Sequence, residues 1–400
     1  MKIIDVKATR VEYPLIPSKS KARKSAFNEN SVVTGSPMSS SLGGRYFHQQ
    51  NWWNKSQSVE GKLLERDVGC VVTCEDGSWG FGFSDRGRIT ASIIDDYLAP
   101  NLIGRDIFET EKLYDIMVRT LSPIGSNSFS TRAISAVDLA LWDLKGKLLE
   151  KPVYELLGGS VTEKLPLYAS SNNIEWLVEL GFKNFKKFAQ WGPRDGIEGI
   201  NNLEEDISKT RDVIGYDSDL MLDCWLSMDI ETTVRVSERL KNYKLKWIED
   251  PLISESINQY EILRQRIPYQ TLATGEHWYG VHPFFHSASK GIVDILQPDI
   301  TWVGGLSAII KIAHIAEAAG IDLILHGGGG SVYGQHASYG LTGISMIECS
   351  GPVITKTGIP LNEKERFPGT PVPQNGTIIP SNAPGFGLEI NRDWFPSFFS

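Results

Sequence analysis

The chain has 400 residues, 41% hydrophobic and 22% charged, the ordinary proportions of a soluble globular protein. A net charge of −8 argues against a nucleic-acid partner, which needs a basic surface, and no run of about 18 apolar residues exists to span a membrane. Cys70, Cys74, Cys224 and Cys349 lack paired spacing, so a disulfide frame or thiolate zinc site is not expected; with no signal-peptide pattern in MKIIDVKATRVEYPL, the expected location is cytoplasmic. Residues 1–130 read as a small α+β unit. They hold the strand IIDVKATRVEY, a short basic run Lys19–Lys24 read as a solvated loop, a Gly/Ser-rich loop from Ser31 to Gly44, and two strands turning at Asp76-Gly77. Helical patterns follow from Thr90 to Ala99 and from Ile107 to Arg119. Another begins near Ser130, where Ile134, Val137, Leu141 and Leu144 recur with a period near 3.6, before Pro152 and Gly158-Gly159 close it. Eight strand candidates come next: LPLYAS, NFKKFAQ, LMLDCW, KWIEDP, QTLATGE, VDILQPD, DLILH and SMIECS. Helical stretches separate most of them, which predicts a parallel sheet closed into a barrel over residues 131–352. The Pro/Gly-rich residues 353–400 lack a final helix and are expected to pack back on the first unit.

Ionisable residues close five of these strand segments. Asp223, Glu249, Glu276, Asp299 and His326 follow one another at intervals of 26, 27, 23 and 27 residues (223 to 249, 249 to 276, 276 to 299, 299 to 326). One βα unit has that length, and a parallel barrel carries its chemistry at the C-terminal ends of its strands, so the spacing predicts one shared pocket. Asp223, Glu249 and Glu276 converging there concentrate negative charge that needs a cation. All-oxygen ligation suits a hard ion, Mg²⁺ or also Mn²⁺. Such an ion beside a substrate carboxylate stabilises the charge formed when a proton leaves the adjacent carbon. His326 is the expected base, and Asp299, one unit earlier, the group that orients it.

The ordered motifs VDLALWDLKGK, PVYELLGG, DCW, WIEDP, GEH, QPDITWVGG and a His-Gly strand end resemble the mandelate-racemase subgroup of the enolase superfamily. With WGPRDG, MLDCWLSMD, LKWIEDPL, SVYGQHA and PGFGLEINRD, the resemblance is closest to rhamnonate-dehydratase-type acid-sugar dehydratases and spans roughly Ala133 to Asp393. It implies an α/β fold, a (β/α)7β TIM-like barrel with an N-terminal α+β capping domain, and a chain that forms homo-oligomers. The implied site has Asp223, Glu249 and Glu276 as Mg²⁺ ligands, a His326–Asp299 dyad, and Glu348 as a protonated hydrogen-bond donor to the substrate carboxylate. His277 is implied as polar lining near the substrate, and Lys186 as the lysine that reaches the metal-bound carboxylate, with Lys187 buried by its stem.

Racemases of this subgroup carry a Lys-x-Lys pattern on the second barrel strand, whereas this strand reads Lys186-Lys187-Phe188-Ala189. A two-base racemisation therefore lacks its partner. One histidine then serves both steps, taking the C2 proton of an aldonate and returning a proton to the departing C3 hydroxyl, to give a 2-keto-3-deoxy acid. The alternative is an epimerase or cycloisomerase of a sugar acid on the same scaffold. Trp302 is a candidate pocket wall, and Arg23, Arg45, His48 and Trp53 of the cap are candidates for the distal hydroxyls. His336 has a counterpart in the group but no expected role. The glycine run Gly327–Gly330 departs from the pattern of the group and is a candidate for shaping the far end of the substrate.

Overall fold

The computed structural model describes residues 1–12, 58–59, 62–63, 67–125, 127–350 and 367–399. Arg23, Arg45, His48 and Trp53, the basic run and the loop Ser31–Gly44 lie outside the described residues. Near the N-terminus, β1 (Ile3–Thr9), β4 (Asp67–Cys74) and β5 (Trp79–Asp85) form an antiparallel sheet in the order β1-β4-β5. Two short strands, β2 (Ser58–Val59) and β3 (Lys62–Leu63), pair with each other. The β4–β5 turn forms as its Asp-Gly pair dictates: Gly77 has φ +85°, and Asp76 Oδ1 accepts from the Ser78 amide at 3.0 Å.

Helical structure runs unbroken from Gly87 to Leu102 where a shorter helix was expected, its middle turn Ile93–Leu98 widened to a π-helix; Thr110–Leu121 follows. The long helix Phe129–Leu148 then crosses under β5. Gly80 and Gly82 make that crossing possible, because a Cβ on either would collide with the helix carbonyls of Ala140 and Ala136. The close approach of backbones fixes where the end of β5 lies relative to the rest of the molecule.

All eight strand segments then form one parallel sheet: β6 (Leu165–Ser170), β7 (Phe185–Phe188), β8 (Leu220–Asp223), β9 (Ile248–Glu249), β10 (Leu272–Thr274), β11 (Ile295–Leu296), β12 (Asp322–Leu323) and β13 (Ile347–Ser350). Pairing runs β12-β11-β10-β9-β8-β7-β6-β13, and a helix follows each strand but the last. That is the (β/α)7β plan. Local signals start the helices: Asp229, for example, accepts from the Thr232 amide at 2.7 Å and so caps Ile230–Leu240.

Residues 367–399 return to the N-terminal sheet. The Arg10 and Glu12 amides bond to the carbonyls of Pro396 and Trp394, and the ring of Phe395 stacks on Phe81 with centroids 4.2 Å apart. A short strand, β14 (Thr377–Ile378), pairs antiparallel with the start of β6. Among the described residues no helix is long and apolar enough to cross a membrane.

Candidate active site

A floor closes the barrel interior. Tyr168, Met221, Trp247, Ala273, Ile295, Ile324 and Met346 pack together there, all buried and each from a different strand segment. Side chains two residues further along a strand face the same way. On six segments that step leads from the apolar floor to a polar group above it: Ser170, Asp223, Glu249, Gln297, His326 and Glu348. Lys186 joins the layer through its register with Ser170 and Met221, and Glu276 follows Gly275, whose φ of +136° only glycine adopts readily. The alternation of the strands thus builds a polar chamber on an apolar plug.

Within the chamber His326 Nδ1 lies 2.8 Å from Asp299 Oδ2, and its Nε2 lies 2.9 Å from Glu276 Oε2. Asp299 is held in turn, its Oδ1 accepting from the amide and the hydroxyl of Thr301, both at 2.7 Å. Lys186 Nζ sits among three carboxylates: Glu249, with which it makes its shortest contact, Glu348 at 2.9 Å and Asp223 at 3.2 Å. Trp247 Nε1 and Gln297 Nε2 donate to the other oxygen of Glu249, at 2.8 and 2.9 Å. Lys187 turns outward to Asp206 Oδ1 at 2.6 Å and Thr210.

Carboxylates outnumber cations in this buried space. Asp223, Glu249, Asp250, Glu276, Asp299 and Glu348 face only Lys186, His277 and His326 in the contacts described. Burial first, then the neighbouring acids, raise Glu249 well above the carboxylate range and Asp223 to about 6 against the pull of Lys186. Glu276 goes the opposite way: burial would raise it, but His326 and His277 hold it well below its ordinary value. Burial would likewise lower both histidines, yet Glu276 and its partners raise His326 well above its ordinary value and His277 to about 10. Protons and Lys186 together supply the positive charge that the acids demand. A donor set of oxygens with surplus negative charge fits a hard divalent cation.

Other residues singled out in the sequence have defined surroundings. Glu348 accepts from Ser170 Oγ and, at 2.9 Å, from the Gly327 amide. Burial would raise its pKa, but Lys186 and His326 hold it down to about 2. The Gly327–Gly330 run is an ordered turn against β13 that supplies this amide, and a Cβ on Gly329 would press on the Glu348 carbonyl. His336 is wholly buried against Tyr154 and Phe386, away from the chamber.

The sequence reading passed over Asp250. Asp250, Glu276 and His277 bring one ligand-type atom each within 4.8 Å of one another. His277 Nδ1 is their shared partner, 3.3 Å from Asp250 and 3.0 Å from Glu276, and Thr274 Oγ1 donates to the other oxygen of Asp250. The positive φ of Asp250, +41°, turns it toward the chamber. Its place beside Glu249 in WIEDP was the available signal. Trp302 stands at the rim, its ring centroid 5.2 Å from His326 and 5.8 Å from His277.

An eight-stranded barrel with an acid-lined chamber and a histidine–aspartate dyad, under an N-terminal antiparallel sheet, defines the class. The chain belongs to the mandelate racemase / muconate lactonizing enzyme family: residues 65–158 match its N-terminal domain and residues 171–394 the enolase C-terminal domain-like family. The L-rhamnonate dehydratase of Saccharopolyspora erythraea is 36% identical over 328 residues, covering 80% of this chain and 82% of its own. A relative from Caldivirga maquilingensis is 39% identical over 329 residues and 80% of each chain. The fold also superimposes on the Mg-complexed crystal structure of rhamnonate dehydratase from Gibberella zeae. The TM-score is 0.83 at 23% identity, over 99% of this chain and 96% of that one.

Proposed function

We propose that this chain is an acid-sugar dehydratase, a hydro-lyase that uses Mg²⁺ and takes an aldonate of the L-rhamnonate type to a 2-keto-3-deoxy acid. The observation that carries the reading is the His326–Asp299 pair at 2.8 Å, placed beside an oversupply of buried carboxylates. Kinship with the S. erythraea dehydratase supports the substrate class.

Asp223, Glu249 and Glu276 would hold the cation. Asp250 and His277 fit less well, because His277 Nδ1 is already engaged by both Asp250 and Glu276. Bound there, Mg²⁺ supplies charge stabilisation for the substrate carboxylate as the adjacent proton leaves. The same oxygen set would accept Mn²⁺.

His326 takes the C2 proton at Nε2, the nitrogen opposite the Nδ1–H that Asp299 holds and the one that Glu276 contacts at 2.9 Å. Glu276, as one of the residues that would hold the cation, would leave Nε2 to the substrate. The charged imidazole returns its proton to the C3 hydroxyl, water departs, and the enol tautomerises to the keto acid. Lys186 reaches the substrate carboxylate, Glu348 positions Lys186, and His277 and Trp302 border the substrate. His48 of the cap stays a candidate for the distal hydroxyls. An epimerase or cycloisomerase gains no support from the lysines as a second acid–base group: Lys186 is held among three carboxylates and Lys187 is turned to Asp206.

Incubation of the Mg²⁺-loaded protein with L-rhamnonate and a panel of aldonates in deuterated water tests the reading. The expected product reacts as a 2-keto acid. Recovered substrate carrying deuterium at an inverted C2, with no keto acid formed, would replace the dehydratase by an epimerase. We further take the enzyme to be cytoplasmic and self-associating; all four cysteines are buried free thiols, which suits a reducing compartment, and light scattering tests the assembly.

A further inference from the structure

We propose that Ser84 and Asp85, the last two residues of β5, position the catalytic dyad from outside the chamber, Ser84 through Thr301 and Asp299, and Asp85 through Arg132 and Trp302. The inference rests on the reading of His326 as the base.

Two chains of contact start at the edge of the N-terminal sheet and converge on one imidazole. In the first, Ser84 Oγ donates to the Thr301 carbonyl at 2.7 Å. The amide and hydroxyl of Thr301 donate to Asp299 Oδ1, each at 2.7 Å, while Asp299 Oδ2 lies 2.8 Å from His326 Nδ1. In the second, Asp85 pairs with Arg132 Nη1, and Nη2 reaches Tyr279 Oη at 3.4 Å. The guanidinium carbon of Arg132 lies 4.2 Å from the centroid of the Trp302 ring, which stands beside His326.

Burial gives these contacts their force. Ser84 is fully buried and Arg132 is 2% exposed. An arginine kept from water needs its carboxylate, and a planar cation over an indole is a directional contact, so the ring of Trp302 has few alternatives. The dyad alone leaves the imidazole plane free to tilt about the Asp299 contact. Trp302 on one side and a pinned Asp299 behind remove that freedom, and catalytic groups lose activity through misplacements of about 1 Å. Ser84 and Arg132 touch none of the reacting atoms and are positioning residues.

The test compares Mg²⁺-loaded full-length variants Ser84→Ala, Arg132→Lys and Asp85→Asn/Arg132→Met with the parent, labelled at the histidine ring nitrogens. The double variant removes both buried charges and guards against a folding defect from one left unpaired. The expected result is a shift of the His326 ring-nitrogen resonances toward a mixture of tautomers in Ser84→Ala and in the double variant. Those resonances are identified by their loss in His326→Asn. With L-rhamnonate as the probe, kcat falls about tenfold while KM and Mg²⁺ affinity stay within twofold, and Arg132→Lys recovers part of the loss. Unaltered His326 resonances in both variants overturn the proposal, as does a loss of kcat that tracks falling Tm and Mg²⁺ affinity. Normal turnover by His326→Asn would instead remove the base assignment, and the spectra would still report on the positioning.

Discussion

His326 Nδ1 and Asp299 Oδ2 lie 2.8 Å apart, and the second oxygen of Asp299 is bound twice by Thr301, so the carboxylate can face only the imidazole. Replacing His326 by Asn should lower kcat on the order of 10³-fold, and Asp299→Asn on the order of 10²-fold, with Mg²⁺ binding retained in both. Steady-state kinetics with calorimetric Mg²⁺ titration checks this. Near-parental turnover in the His326 variant is incompatible with its role.

Lys186 is the cation of the acid cluster when no metal is bound. Burial would lower its pKa, but Glu249, Glu348 and Asp223 raise it well above its ordinary value. Lys186→Met should therefore cost about 3 kcal/mol of stability in EDTA, because buried carboxylates lose their partner. Saturating Mg²⁺ should recover most of that loss, since a ligand that binds only the folded state stabilises it. Thermal melts of parent and variant with EDTA or Mg²⁺ decide the matter; an equal Tm difference under both conditions would separate Lys186 from the metal site.

Two buried groups, neither of them in the acid chamber's contacts, give opposing pH dependences. Burial raises Asp138, in the helix Phe129–Leu148, from 3.8 to about 7 despite hydrogen bonds from Ser307. Its contribution to stability is complete below 3.8 and is lost as pH rises to about 7. Burial lowers His336 from 6.5 to about 3, so its contribution is complete above 6.5 and is lost as pH falls toward 3. Across their overlap the two slopes, each about 1.4 kcal/mol per pH unit, oppose each other. Asp138→Asn should leave a stability that climbs more steeply from pH 4.5 to 6.5 than the parent's, by roughly that slope. Urea unfolding at several pH values measures it, and parallel curves would refute it.

Gly82 lets β5 lie against the helix Phe129–Leu148, where a Cβ would strike the Ala136 carbonyl. Gly82→Ala should cost about 3 kcal/mol or more, as overpacking between two backbones that cannot yield. Ser84 and Asp85 sit two and three residues further on, so the surviving folded protein should also lose kcat. Thermal denaturation and kinetics on one preparation check both; unchanged stability would mean that the sheet can shift away.

The repeat of strand and helix was legible because apolar runs, turn residues and ionisable ends recur along the chain at the length of one βα unit. Asp223, Glu249, Glu276, Asp299 and His326 could be placed at one end of a barrel on that ground alone. The π-helical turn at Ile93–Leu98 was not legible, since its sequence has an ordinary helical pattern. The surroundings of Glu348 were not legible either: acids crowd it, as the sequence implies, but Lys186 and His326 lower its pKa only in the folded chamber.

By itself the sequence determined which residues share a face, because the strand period of two and the βα repeat are local properties of the chain. Only the tertiary structure decided the partners: Lys186 among three carboxylates, Asp250 on His277, and Ser84 on Thr301 across 217 residues of sequence. The physical reason is that alternation fixes the direction of a side chain, whereas the charge and the hydrogen-bond donor it meets come from segments whose distance along the chain carries no trace of the contact.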